Sequence, residues 1–358
     1  MSADQARGYG LEGVDAAATA ISHVDGEHGR LVIVGHEVEQ LATGRTFEEV
    51  VQAVLEAGRA TRFERSPRLG PARMAAWELL PRLGDALDAS DGMDALRAGL
   101  AHLRTSGDDD ADALAVIGAA PVFVAAWSRK QRGLAPIAPS AERDHATDYL
   151  RMTTGAEPEQ AAARALGAYL ITVIDHGMNA STFTARVIAS TASDLVSAVV
   201  GAVGALKGPL HGGAPGPVLD MLDAVGVPAN AEAWLLEELA AGHRIMGMGH
   251  RIYRVRDPRA AVLEAAVKPL QTPRLDLAHA VEAAAAKILR ERRPDRPLAA
   301  NVEFYTAVML DAVGLPRAQF SPTFAVGRVA GWCAHVLEQR RTGKLIRPAS
   351  TYVGAMPT

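Results

Sequence analysis

The chain has 358 residues, 49% hydrophobic but only 5% aromatic, with a formal net charge of −4 and a pI near 6.3. That length buries a sizeable core and favours more than one domain, and the mild acidity removes the electrostatic case for nucleic acid or an anionic membrane as main partner. A single cysteine, Cys333, rules out an internal disulfide and suits a reducing cytoplasm.

Met1-Ser2-Ala3-Asp4-Gln5 is neither basic nor apolar, so no export signal is expected. Leu31-Val32-Ile33-Val34 is the clearest strand-like run; few others alternate. Thr46-Phe47-Glu48-Glu49 reads as a capping box opening a helix through Glu56, with Gly58 as its stop. Residues 106–110 form an acidic turn suited to a solvated helix start, since the glycine and glutamate spacing of a calcium loop is missing. Residues 133–139 form a proline-rich connection. Apolar positions recur at three and four over 161–174, 278–289 and 324–337, the last with Gly327 and Gly331 to admit a close neighbour. Leu195–Leu206 is the most apolar stretch, but Ser197 and two glycines break it and it is too short to span a bilayer. Asp257-Pro258-Arg259 opens another helix with proline at its first position, and 290–297 reads as an exposed linker. The alanine-rich composition favours helices packed through small side chains. The expected fold class is mostly α, with boundaries where glycine and proline cluster near 212–217 and 314–322.

Three segments carry groups suited to breaking a carbon–hydrogen bond beside a carbonyl. They are Gly208-Pro209-Leu210-His211-Gly212-Gly213-Ala214, Gly247-Met248-Gly249-His250-Arg251 and Asn301-Val302-Glu303-Phe304-Tyr305. His211 precedes a helix that Pro215 or Pro217 can open. The helix dipole there disfavours imidazolium and leaves a neutral N–H donor for an enolate oxygen, as in triosephosphate isomerase. A loop histidine bonded to backbone fits the same local sequence. Glu303, between Val302 and Phe304, is costly to ionise, so its pKa should rise toward a useful base value if the side chain faces inward rather than to solvent. Backbone N–H groups of the loop Gly247-Met248-Gly249, just before His250, could approach a ligand closely.

Arg251, Arg254, Arg256 and Arg259 fall within nine residues, as a solvated face or as an anion site. His243 and His250 share a spacing, but no third ligand sits at zinc-like distance, so no metal is expected. In residues 175–182, Asn179, Ser181 or Thr182 caps the next helix. Arg328, inside an apolar helix, needs an anionic partner, and a substrate carboxylate would serve; Arg347 is a weaker instance. No dinucleotide fingerprint, P-loop, nucleophile elbow, HExxH or CxxC is present.

In this order and wording the segments resemble the citrate synthase family. Its wording is specific in 208–214, in Gly249-His250-Arg251-Ile252-Tyr253 through Asp257-Pro258-Arg259, in Asp175-His176 with Asn179-Ala180-Ser181-Thr182, and in Arg328 to Gly331-Trp332. The likeness runs from Gly10 to Gly354, with a shortened, divergent stretch over 59–110. It implies a two-domain helical fold: a large domain of residues 1–211 and 317–358, and a smaller mobile domain of 212–316 that closes over the substrates. It also implies a cytoplasmic homodimer that condenses acetyl-CoA with oxaloacetate and hydrolyses the thioester without metal or redox cofactor. Propionyl-CoA, as in a 2-methylcitrate synthase, is the alternative substrate, and a catalytically weakened CoA- or dicarboxylate-binding regulator is the third reading.

By matching positions, His211 donates to the thioester carbonyl, Glu303 removes the methyl proton and His250 polarises and protonates the ketone. His176, Arg259, Arg328 and, across the dimer, Arg347 bind oxaloacetate. Arg254, Asn301 and the backbone of Met246, Gly247, Met248 and Gly249 match CoA contacts. Most of the family carries aspartate where this chain has Glu303. One added methylene moves a carboxylate by about 1 Å, a displacement that can cost ~100-fold in rate unless the surroundings compensate.

Overall fold

The structure, a computed structural model, describes residues 11, 13–64, 66–211, 215–249, 252–253, 255–292 and 298–357. Three short strands come first, β1 (Ser22–Asp25), β2 (Arg30–Ile33) and β3 (His36–Glu37), joined as an antiparallel meander in the order β1-β2-β3. Helices follow: α1 (Val38–Gly44), α2 (Phe47–Arg59), α3 (Leu69–Trp77), α4 (Gly92–Leu100), α5 (Asp109–Gln131), α6 (His145–Thr154), α7 (Gln160–Thr172), α8 (Ala180–Ala189) and α9 (Leu195–Leu206). Then come α10 (Pro215–Val225), α11 (Ala231–Ala240), α12 (Pro258–Val267), α13 (Pro273–Arg292), α14 (Val302–Ala312) and α15 (Phe320–Thr342). The mostly helical expectation holds.

Local signals set most helix starts. The Thr46 hydroxyl accepts from the Glu49 N–H while the Glu49 carboxylate accepts from the Thr46 N–H, so the capping box is complete. Asp108 caps α5, Asn179 caps α8 and Asp257 caps α12, whose first residue is Pro258. Gly58 corrects an expectation, because α2 runs past it to Arg59 and turns left-handed at Ala60, with φ of 58°. A Cβ at Gly58 would lie 2.3 Å from the Ala334 carbonyl oxygen, so this glycine serves the close approach of α2 to α15. The presumed linker over 290–297 is helical as far as Arg292; residues 293–297 lie outside the described set.

The core is built around α5 and α15. By length and composition α5 could cross a bilayer, but 83% of its apolar window is buried inside the fold. It is a longer apolar helix than the α9 stretch singled out from sequence. Burial at that level is what a core helix needs, and a bilayer would find little apolar surface to hold. Helix α15 is buried from Phe320 almost to Gln339 and packs on α2, α5, α7, α8 and α9. Helices α10 to α14 pack mainly on one another, while α12 and α14 also rest on α7.

Gly331 sets how closely α15 approaches the segment after α7. A Cβ there would meet the Ile174 carbonyl oxygen at 2.1 Å and Asp175 Oδ1 at 3.1 Å. In an unconstrained helix alanine is the better residue by about 1 kcal/mol. Here Gly331→Ala is expected to destabilise instead, by about 3 kcal/mol, because a backbone carbonyl must move. A lowered urea midpoint checks this; a raised one removes the packing role.

Candidate active site

The short segment 173–179 joins α7 to α8. Gly177 takes a left-handed φ of 59°, and Asn179 accepts the Ser181 and Thr182 N–H groups at 3.1 Å each. Asp175 is fully buried and accepts from the Gly177 N–H at 3.1 Å, from the Ser22 hydroxyl, and from His335 Nε2 at 3.1 Å. Arg186 Nε donates to His335 Nδ1 at 3.0 Å, which fixes the hydrogen of that imidazole on the side facing Asp175. Arg186 also pairs with Glu338 and donates to Gln339 Oε1 at 2.9 Å. Burial works to raise the Asp175 pKa, but His335, Arg328 and Ser22 outweigh it and hold the carboxyl below its ordinary value. This network presents His176, itself buried, with Nε2 3.1 Å from the Tyr253 hydroxyl.

His211 lies in the turn after α9, its N–H bonded to the Gly208 carbonyl. The Ser181 N–H donates to His211 Nε2 at 3.3 Å, and the Ser181 hydroxyl lies 2.8 Å from the same nitrogen. Trp332 Nε1 donates to that hydroxyl at 3.2 Å. With Nε2 accepting, the hydrogen of a neutral ring belongs on Nδ1. Burial first, and then the Arg328 guanidinium, push the His211 pKa down to about 4. The expectation of an uncharged imidazole is met, though burial and an arginine cause it rather than the helix dipole. The bland reading, a ring bonded to backbone, also holds for one nitrogen, Nε2, which takes the Ser181 N–H.

Arg328 is fully buried on α15. It donates to the Val173 carbonyl at 2.5 Å and lies 4.8 Å from the Phe324 ring centre. Among the described residues no carboxylate lies within ion-pair distance of it. Burial pulls its pKa down to about 10 even with Asp175 nearby. Arg259, also buried, forks onto Asp257 through 3.0 and 2.8 Å bonds and lies 5.8 Å from the Tyr253 ring. Asp257 further accepts the Val302 N–H at 3.2 Å, tying the start of α12 to the start of α14.

That tie places Glu303 in the first turn of α14. Its N–H donates to Asn301 Oδ1 at 3.0 Å, and its side chain is half-buried. Burial pushes its pKa up to about 7, against the field of Arg259. A solvent-pointing glutamate would feel no such penalty. The charge of Arg328 acts on His211 and is opposed by that of Arg259, which in turn acts on Glu303, so the four groups are coupled pairwise.

The loop 246–249 is stitched to 299–301. Gly249 N–H donates to Ala299 O at 2.7 Å, Asn301 N–H to Gly247 O at 2.9 Å, and Asn301 Nδ2 to Gly249 O at 2.9 Å. Gly247 has φ of 72°, and a Cβ there would lie 2.9 Å from Phe304, so glycine is required. Both ends of the Asn301 side chain are thus engaged in joining this loop to the Glu303 helix. His250, Arg251 and Arg254 lie outside the described residues. Arg256 pairs with Glu264 and Glu282 at 2.8 and 3.0 Å. His243 is exposed against Glu238, and no cluster of three or more metal-ligating side chains occurs among the described residues. Arg347 is exposed in the extended segment after α15 and is not drawn toward the other groups within this chain.

Sequence reasoning passed over Asp257, Tyr253 and Trp332 as site residues. The first had a legible signal, an aspartate two positions before a buried arginine; the other two look like ordinary core aromatics.

The family model described as citrate synthase, C-terminal domain, matches residues 10–349. A Mycobacterium tuberculosis protein named "Putative citrate synthase 2" is 42% identical over 97% of this chain and 93% of its own length. A 2-methylcitrate synthase of the same organism is 36% identical over 96% and 90%. Among solved structures, citrate synthase from Thermotoga maritima superposes with a TM-score of 0.83 at 34% identity, covering 98% of this chain and 96% of that one. Citrate synthase from Thermoplasma acidophilum, solved as a ternary complex with carboxymethyl coenzyme A and oxaloacetate, gives 0.85 at 26% identity, covering 98% and 96%.

Proposed function

Because the chain belongs to the citrate synthase family, we propose that its buried arginines, neutral imidazole and near-neutral carboxyl carry out the condensation of acetyl-CoA with oxaloacetate. The observation that carries this reading is a carboxyl with a pKa of about 7 in the same region as an imidazole kept uncharged near 4. A base must be ionised at working pH yet still want a proton, and a donor to a developing enolate must not lose its hydrogen.

Glu303 takes a proton from the acetyl methyl group. The C–H electron pair becomes the C=C bond of an enolate, whose oxygen accepts the His211 Nδ1–H. The enolate carbon then attacks the keto carbon of oxaloacetate, and His250 protonates the alkoxide. Water hydrolyses citryl-CoA to citrate and CoA. Arg328, Arg259 and His176 hold the dicarboxylate. The loop 246–249, with Arg254 and Asn301, receives CoA. No metal or redox group enters any step, since both electrophiles belong to the substrates.

The same reading takes residues 212–316 as a small domain closing on a large one of 1–211 and 317–358, and the cytoplasm as the working compartment. It also takes the enzyme as a homodimer, with Arg347 reaching the partner's site. The segment after α15 supports this: Leu345, Tyr352, Val353 and Met356 are 58–86% exposed, apolar surface that a second copy would cover. Acetyl-CoA and propionyl-CoA differ by one methylene, worth about 1–3 kcal/mol of discrimination. The expected order is acetyl-CoA first, read as the ratio of kcat/KM at fixed oxaloacetate.

His211→Ala is expected to lower kcat by about 10²–10³-fold while changing the oxaloacetate Kd less than about threefold, because its hydrogen bond strengthens in the transition state. Steady-state kinetics with a calorimetric Kd checks this, and full turnover by the variant refutes the assignment.

A further inference from the structure

Among the described residues only four buried side-chain polar atoms lack a hydrogen-bond partner, and Tyr169 Oη is one. Tyr169 is fully buried on α7, the helix that packs against α12, α14 and α15. Those three helices carry Arg259, Glu303 and Arg328. The charges acting on its hydroxyl come from the same groups, Arg328 most strongly and then Tyr149, Glu303 and Arg259, while burial keeps the phenol protonated.

An orphaned buried hydroxyl carries an uncompensated desolvation penalty, which a core position sheds by having phenylalanine instead. Guanidinium groups are donors only, so Arg259 and Arg328 can satisfy the oxygen but never the hydrogen. What the O–H needs is an acceptor, and Arg328, on a helix packed against α7 and the charge that acts on the hydroxyl most strongly, has no carboxylate at ion-pair distance among the described residues. An anion seated against Arg328 would answer both deficits.

We propose that Tyr169 is a substrate-binding residue: its O–H donates to a carboxylate of the dicarboxylate held by Arg328 and Arg259. The inference rests on the dicarboxylate site described above and adds to it a neutral donor. Two arginines hold any dianion of suitable length. A fixed O–H adds direction, favouring the carboxylate orientation that offers it a lone pair.

Tyr169→Phe removes only the hydroxyl. In the free enzyme nothing is lost, so its melting temperature is expected to equal or exceed that of the parent. The oxaloacetate Kd, by calorimetry without acyl-CoA, is expected to rise about 10–100-fold, the worth of a hydrogen bond to a charged group. The thermal stabilisation produced by oxaloacetate shrinks in parallel. At saturating oxaloacetate, kcat should stay within about threefold and the acidic limb of the pH–rate profile should not move, which separates binding from action through Glu303. An unchanged Kd overturns the proposal. So does a lowered melting temperature with an unchanged Kd, which would assign the hydroxyl a structural role in the core of the free enzyme. If the parent itself fails to bind oxaloacetate, the dicarboxylate reading falls first, before the variant is consulted.

Discussion

Glu303→Gln is expected to lower kcat by about 10³–10⁴-fold at pH 8 while leaving the enzyme folded and able to bind oxaloacetate. The amide keeps the shape and hydrogen-bonding size of the side chain but cannot accept the methyl proton, and general-base catalysis is worth about 10²–10⁴. With a folded-state pKa of about 7 against an ordinary value of 4.5, the parent's kcat/KM for acetyl-CoA should rise tenfold per pH unit below about 7 and level off above it. His211, near 4, adds no limb in that window. The sign for stability follows from the same shift. Between about 4.5 and 7 the native state binds a proton that the unfolded chain has released, so folding loses free energy as pH rises through that range. Glutamine escapes that loss, so the variant should melt no lower than the parent at pH 8, and loss of rate then cannot be ascribed to loss of fold. Full turnover by the glutamine variant would dismiss Glu303 as the base. Glu303→Asp completes the test. Asn301 and Asp257 pin the first two N–H groups of α14, at Glu303 and Val302, so the backbone cannot follow a shorter side chain. A withdrawal of about 1 Å should cost ~100-fold; a faster aspartate enzyme would mean the glutamate site is a compromised one.

The helical class, the capping box at Thr46, the caps at Asn179 and Asp257, and the close approach at Gly331 were legible because each is a local pattern with one physical meaning. Gly58 was misread because glycine ends helices and also lets them touch, and only the neighbour at Ala334 decides between the two. The candidate reacting residues were legible one at a time as glycine-flanked histidines and a carboxylate among apolar neighbours. The placement of His211 and Glu303 was not, since it depends on Asp257 joining two helix starts and on Ser181, 30 residues from His211, and Trp332, 151 residues from Ser181, holding a ring. The cause of the depressed His211 pKa was missed for the same reason. A helix dipole is a local inference, whereas Arg328 reaches that ring only through tertiary packing. The network from Arg186 through His335 to Asp175 gave no sequence signal at all, because a buried relay looks like scattered polar residues in apolar helices.

Arg328→Leu should be the most damaging substitution for the ground-state complex. A guanidinium buried in α15, bonded to one carbonyl and with no carboxylate at ion-pair distance among the described residues, is held at a cost, which is why its pKa is pulled down to about 10. A substrate carboxylate offsets that cost by pairing with it in a water-poor setting. Truncating one partner of such a buried charge pair costs about 2–5 kcal/mol, so the oxaloacetate Kd should rise by about 30- to 5,000-fold. The free enzyme tells the other half: without a buried unpaired cation, the leucine variant should unfold at the same urea concentration as the parent or higher, despite losing the bond to Val173. Arg328→Lys should fall between, keeping the charge but not the two-pronged geometry. The effect should also reach across the site. Since Arg328 is the second cause of the low His211 pKa, its removal should let that imidazole titrate higher, short of the ordinary 6.5 because burial remains. Proton NMR of the ring would follow the shift. An oxaloacetate Kd that is unchanged by the leucine substitution would leave the buried arginine without a ligand and detach it from the site.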